Sequence, residues 1–122
     1  MAVKVVDASA LAALLFDETE AAQVADLLGD STLAAPALLE YELGNTCWKK
    51  CRRHPDAAPS FTRALGMLGD MTLSLHDVDV AGVLRIAVER GVTYYDASYL
   101  WLAETLHAPL ISLDAKLIQA MR

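Results

Sequence analysis

Little in this chain of 122 residues points to a membrane, a nucleotide loop or a disulfide framework. No apolar run approaches the roughly 18 residues needed to span a bilayer, and residues 1–15 lack the charged start and small-residue cleavage site of a signal peptide. The expectation is a cytoplasmic chain with no membrane segment. Only two cysteines occur, Cys47 and Cys51, one helical turn apart on an apolar stripe. Without a CxxC pair or partner histidines they make a weak zinc signal and read as small buried hydrophobes. His54, His76 and His107 fall in different segments without ligand spacing, so at most one is expected near a site. Neither G-x-x-x-x-G-K-[ST] nor G-x-G-x-x-G occurs, which argues against a nucleotide-dependent enzyme. Linkers, repeats and low-complexity stretches are also missing, and the length suits one domain over residues 1–122.

Positive charge is short as well: 10 Lys and Arg against 16 Asp and Glu leave a net charge of −6. That balance excludes nucleic-acid binding by overall attraction, though not by a local patch. Lys49, Lys50, Arg52 and Arg53 gather much of the basic charge in one run, with His54 beside them. The run reads either as a solvated helix end beside the negative pole of the helix dipole or as a phosphate-binding patch. Apolar residues, by contrast, make up 55% of the chain, and without a membrane segment this surplus implies cover by another chain. A homodimer is the simplest form of that cover.

Hydrophobic patterning alternates strand and helix. Strands are expected at 3–6, 32–35, 72–75 and 109–113, and helices at 8–15, 20–28, 38–53, after Pro59, from Val80 to a stop at Gly91, at 97–107 and at 115–121. Helices of this length between strands imply crossover connections and a parallel sheet covered on both faces. Trp48 and Trp101 fall on helices, where packing in the core or at a dimer interface is the ordinary reading and base stacking the alternative. Asp77 and Asp79 read as the N-terminal cap of the helix starting at Val80.

What the chain does have is a recurring acid. Val3-Lys4-Val5-Val6-Asp7 is a short apolar strand running into an aspartate, with counterparts read at Tyr94-Tyr95-Asp96 and at Leu110-Ile111-Ser112-Leu113-Asp114. Ligands of open α/β sheets bind outside the carboxyl ends of the strands, so acids placed there converge. Three converging carboxylates raise one another's pKa unless a cation joins them, which points to a hard divalent metal. The ordinary alternative is that Asp7, Asp96 and Asp114 each cap the helix that follows. A fourth acid comes from the helix after Leu38. Glu40 and Glu42 are about 200° apart around a helix and cannot face one site. Glu42 is the choice, because Asn45 and Thr46 continue its face as a polar strip beside the Leu39, Leu43 stripe.

The segments VVDASAL around Asp7, APALLEYELGN from 35 to 45, TYYDASYLWLAE from 93 to 104 and APLISLDAKL from 108 to 117 resemble the four motifs of PIN-domain ribonucleases. The likeness is greatest to the VapC-type toxins of bacterial and archaeal toxin–antitoxin pairs, and it covers nearly the whole chain in the right order. It implies a PIN-like three-layer α/β/α sandwich with a mainly parallel sheet. The family often adds a strand after the last helix; with the sequence ending at Arg122, about four strands are expected. Carried over position by position, the metal-binding acids are Asp7, Glu42, Asp96 and Asp114. Ser9 matches the hydroxyl residue after the first acid, and Ser112 stands where threonine is frequent; with Asn45 they would support the acids. The resemblance further implies an Mg²⁺- or Mn²⁺-dependent endoribonuclease leaving a 5′-phosphate and a 3′-hydroxyl. Its partners would be an RNA substrate, a cognate antitoxin and a second copy of the chain.

A non-catalytic α/β interaction module is the competing class. Receiver-type domains also gather acids around Mg²⁺, but they open with adjacent acids after the first strand and carry a lysine after the last. Here Asp7 is followed by Ala8, and Lys116 comes two residues after an acid.

Overall fold

The computed structural model describes residues 2–121. Its strands are β1 (Val3–Val6), β2 (Thr32–Pro36), β3 (Leu73–His76) and β4 (Leu110–Ile111), and its α-helices are α1 (Ala8–Leu15), α2 (Ala21–Leu28), α3 (Leu39–Arg53), α4 (Ala58–Gly66), α5 (Val80–Arg90), α6 (Tyr94–Leu106) and α7 (Ala115–Ala120). The strands form one parallel sheet in the order β3-β2-β1-β4, with Val5 opposite Ala34 on one side and Leu110 on the other. The expected α/β class and four-stranded parallel sheet are therefore present.

Topology follows from handedness. Crossovers between parallel strands are right-handed, so successive steps in one direction put their helices on one face and a reversal puts them on the other. The chain steps the same way from β1 to β2 to β3, then returns past both to β4. Accordingly α1 packs on α2 and α3, and α3 on α4, whereas α5 packs on α6 and α6 lies against β1, β2 and β4. Val5, Val6, Leu11, Leu39, Leu43 and Val83 are fully buried between these layers. Each such Leu contributes roughly 1.5–3 kcal/mol of burial free energy. At Gly82 an added Cβ would stand 2.9 Å from Trp101 Nε1, so the glycine lets α5 approach α6. Among the described residues, no helix is long and apolar enough to cross a membrane.

One expected element is corrected. Tyr94 and Tyr95 are not an apolar segment leading to a helix that opens at Asp96; they are the first turn of α6 itself. Thr93 supplies the cap, its hydroxyl accepting from the Asp96 N–H at 3.0 Å. A threonine one turn ahead satisfies the first free amides, and an aspartate in the first turn faces the positive end of the helix dipole. The last strand is also shorter than expected, because after Ile111 the chain turns to bring Ser112 and Asp114 inward. Gly91 closes α5 in the left-handed region at φ 65°, as its position predicts.

Candidate metal centre

β1 and β4 are the neighbours at which the chain's direction across the sheet reverses, and a crevice at such a border is where α/β sheets bind ligands. The Asp7 N–H donates to the Ile111 carbonyl at 3.1 Å, which joins the ends of the two strands. A cavity of about 560 Å³ opens there. Asp7 from the end of β1, Glu42 from α3, Asp96 from α6 and Asp114 from the turn before α7 all line it, together with Ser9, Asn45, Thr46 and Lys49. The four expected acids, far apart in sequence, thus share one cavity, which Glu18 and Glu20 line as well. Glu40 is exposed and does not line it, in agreement with the helical phase argued for α3. None of the three histidines reaches it.

Asp7 is the most enclosed of the four, only 4% exposed. Its Oδ1 accepts from the Ala10 N–H at 3.0 Å and from the Ser9 hydroxyl at 2.7 Å, and its Oδ2 from the Ser112 hydroxyl at 2.6 Å. The two serines also accept, Ser9 from the Leu113 N–H and Ser112 from the Asp114 N–H, both at 3.0 Å. They stitch the turn after β4 to the first acid. Asp7 does cap α1, and Asp114 caps α7 by accepting from the Lys116 N–H at 2.9 Å, so capping and cavity lining coexist in both. Asp96 differs. Its carboxylate accepts no protein hydrogen bond among the described residues, and only its backbone takes part in the cap.

Electrostatics carry the mark of crowding. Burial is the main cause that pushes Asp7 above the usual carboxylate range, against the pull of the Ser112, Ala10 and Ser9 hydrogen bonds, with Asp114 adding repulsion. Burial likewise raises Glu42, with the charges of Asp7 and Asp96 adding to it. Asp96 is raised by burial and then by Asp114 and Asp7, with Lys116 opposing. Each raised carboxyl feels at least one of the others, so the cavity favours anything that supplies positive charge.

Tyr99 was not legible as a site residue. It lies one turn beyond Asp96 on α6, and its hydroxyl donates to Glu42 Oε1 at 2.6 Å. Burial and the neighbouring Glu42 push the phenol well above its ordinary pKa, so it stays a donor. The available signal was the i, i+3 spacing from Asp96 and the need of a buried tyrosine for a partner.

The basic run divides. Lys49 lines the acidic cavity. Lys50 is occupied instead by Glu18, at 2.7 Å, and lies over the rings of Phe16 and Phe61. Arg52 and Arg53 are exposed and line a neighbouring depression with Trp48 and Lys49. Cys47 is buried as expected, donating its thiol to the Phe61 carbonyl, and it plays no part in the cavity.

The donor set suits a hard cation. Carboxylate, amide and hydroxyl oxygens line the cavity, with no thiol or imidazole among them. Among the described residues no three His, Cys, Asp or Glu side chains stand close enough together to hold a metal ion as they are placed.

Comparison with known proteins decides the family. The PIN domain pattern matches residues 4–121. The chain belongs to the PIN-domain family. Among its relatives is the protein named Ribonuclease VapC3 of Pyrobaculum aerophilum, 34% identical over 120 residues, which cover 94% of this chain and 92% of the relative. A second relative from Pyrobaculum aerophilum, named Exonuclease VapC9, is 38% identical over 86 residues, 70% of this chain; the match spans 65% of that relative's length. The crystal structure of PAE2754 from Pyrobaculum aerophilum superposes with a TM-score of 0.79 at 36% identity, covering 100% of this chain and 89% of that one. The PIN fold and VapC-type kinship expected from the four segments are both borne out.

Proposed function

We propose that this PIN-like unit hydrolyses RNA phosphodiester bonds internally with the help of Mg²⁺ or Mn²⁺, and that it is the toxin of a toxin–antitoxin pair. The observation that carries the reading is the meeting of Asp7, Glu42, Asp96 and Asp114 from four separate elements in one cavity at the sheet's switch point. Family membership supports it, since relatives bear the names ribonuclease and exonuclease.

In this mechanism Asp7, Glu42, Asp96 and Asp114 would hold the cation, which would supply polarisation of the phosphate, a lowered pKa for an attacking water and neutralisation of charge on the leaving oxygen. Ser9 and Ser112 keep both oxygens of Asp7 in place, and Tyr99 does the same for one oxygen of Glu42. Asn45 offers an amide to the phosphate or its water. Asp96, engaged by no protein donor among the described residues, is the ligand most free to adjust to the ion. Lys49, Arg52 and Arg53 give the polyanion local attraction that a chain of net charge −6 otherwise lacks.

The partners of this reading are RNA, a cognate antitoxin and a second copy of the chain. Support for self-pairing is the apolar stripe of α5, where Val80, Leu84 and Val88 are 67%, 53% and 76% exposed at a spacing of four. Circular single-stranded RNA tests the internal mode of cleavage. Linear products carrying 5′-phosphates, formed with Mg²⁺ or Mn²⁺ and abolished by a chelator, are expected; an intact circle beside a degraded linear RNA would establish an exonuclease instead.

A further inference from the structure

Trp48 is not a core tryptophan. Trp101 packs between α5 and α6, whereas Trp48 on α3 is 54% exposed. Its indole is not left to wander, because the Arg52 guanidinium lies 5.0 Å from the ring centroid, one turn further along α3. A cation held over an aromatic face is attracted weakly at an exposed site, enough to bias the rotamer and little more. The depression of about 280 Å³ that Trp48 and Arg52 line also includes Arg53 and Lys49. Lys49 lines the acidic cavity too, so the two hollows adjoin through one side chain.

We propose that Trp48, backed by Arg52 and joined to the acidic cavity by Lys49, is a stacking platform for an unpaired base of the RNA. The polymer's identity rests on the nuclease reading; the platform rests on the exposed indole, its cation and the shared lysine. Stacking needs the face of a base, and paired bases offer none to a side chain, so the platform selects single-stranded segments. Lys49 and Arg53 would meet phosphates on either side of the stacked base. The alternation of aromatic and cation beside acids would also let an acidic protein take up a polyanion: Trp48, Arg52 and Arg53 lie outside the recess where carboxylates repel it, and Lys49 stands between the two hollows. Continuity with the acidic cavity favours RNA over an acidic polypeptide as occupant.

The test follows tryptophan emission during titration with a short oligouridylate in chelator, where no cleavage occurs. Quenching that saturates is expected. Trp48→Ala should abolish it and weaken oligouridylate binding about tenfold, measured by anisotropy, while Trp48→Phe recovers most of the affinity. Unchanged melting of Trp48→Ala would show the loss to be local. Lys49→Gln should lower the slope of log affinity against log salt by about 0.7, the value for one phosphate contact on a single strand. Lys50→Gln, whose ammonium is already engaged by Glu18, should leave that slope as it is. Equal affinity of wild type and Trp48→Ala would overturn the platform, as would tighter binding of duplex than of single strand, or loss in Trp48→Ala of polyglutamate binding alone. Metal-dependent cleavage with Trp48 silent would sink the platform and leave the nuclease; Trp48-dependent binding without cleavage would do the reverse.

Discussion

The Tyr99 hydroxyl on α6 and Glu42 Oε1 on α3 meet at 2.6 Å, tying the helical layers of opposite sheet faces together at the wall of the acidic cavity. Tyr99→Phe keeps the ring's packing and removes only the donor. Hydrogen bonds to charged groups contribute about 1.5–3 kcal/mol, and the partial exposure of Glu42 reduces this to about 1 kcal/mol of lost stability. The larger expected effect is on metal use. The Mg²⁺ or Mn²⁺ concentration for half-maximal cleavage should rise several-fold, with a smaller loss at saturating metal. An unchanged metal titration would confine Tyr99 to packing.

Crowded carboxylates predict how the metal-free protein responds to pH. Asp7, Glu42 and Asp96 all hold their protons above the ordinary range, burial being the main cause in each. An acid whose folded pKa is raised contributes stability below its unfolded pKa, and that contribution is lost as pH rises through the folded value. In chelator, melting temperature should therefore fall as pH climbs from near 3.8, the ordinary aspartate value, toward neutrality. Asp7→Asn should flatten this fall and match or exceed wild type at pH 7, since asparagine can still cap α1. Adding Mn²⁺ at neutral pH should raise the melting temperature of wild type more than that of the variant. Parallel wild-type and Asp7→Asn curves would mean that Asp7 is not under electrostatic strain.

How far the sequence disclosed this arrangement differs by residue. Asp7 and Asp114 were legible through the recurrence of an acid after an apolar strand, since helix capping explains either one alone, and the periodicity of α3 separated Glu42 from Glu40. Asp96 lines the cavity but on a different local structure from the one expected, since two tyrosines imitate a strand when Thr93 is not recognised as the cap. Tyr99 and the division between Lys49 and Lys50 depend on which elements face each other across the sheet. Contacts such as Lys50 with Glu18 join residues far apart in the chain, and no local pattern announces them.

The proposed homodimer would pair through the exposed stripe of Val80, Leu84 and Val88. Leu84→Lys with Val88→Lys should convert a dimer into a monomer of about the 13.2 kDa chain mass by light scattering, without altering circular dichroism. A wild-type chain that is already monomeric at micromolar concentration would remove the second copy from the account.

Asp96→Asn is the most direct test of the central claim that the four acids form one metal centre for RNA hydrolysis. Asp7 and Asp114 also cap helices, so their replacement mixes stability with chemistry, whereas the Asp96 carboxylate caps nothing and accepts no protein hydrogen bond among the described residues. Replacing a mere outer-shell partner of a metal costs about 10–100-fold, so loss of a charged ligand should lower the Mg²⁺- or Mn²⁺-dependent rate of RNA cleavage by about a hundredfold or more. The melting temperature in chelator should stay level or rise. Wild-type cleavage by a folded Asp96→Asn protein would contradict the account.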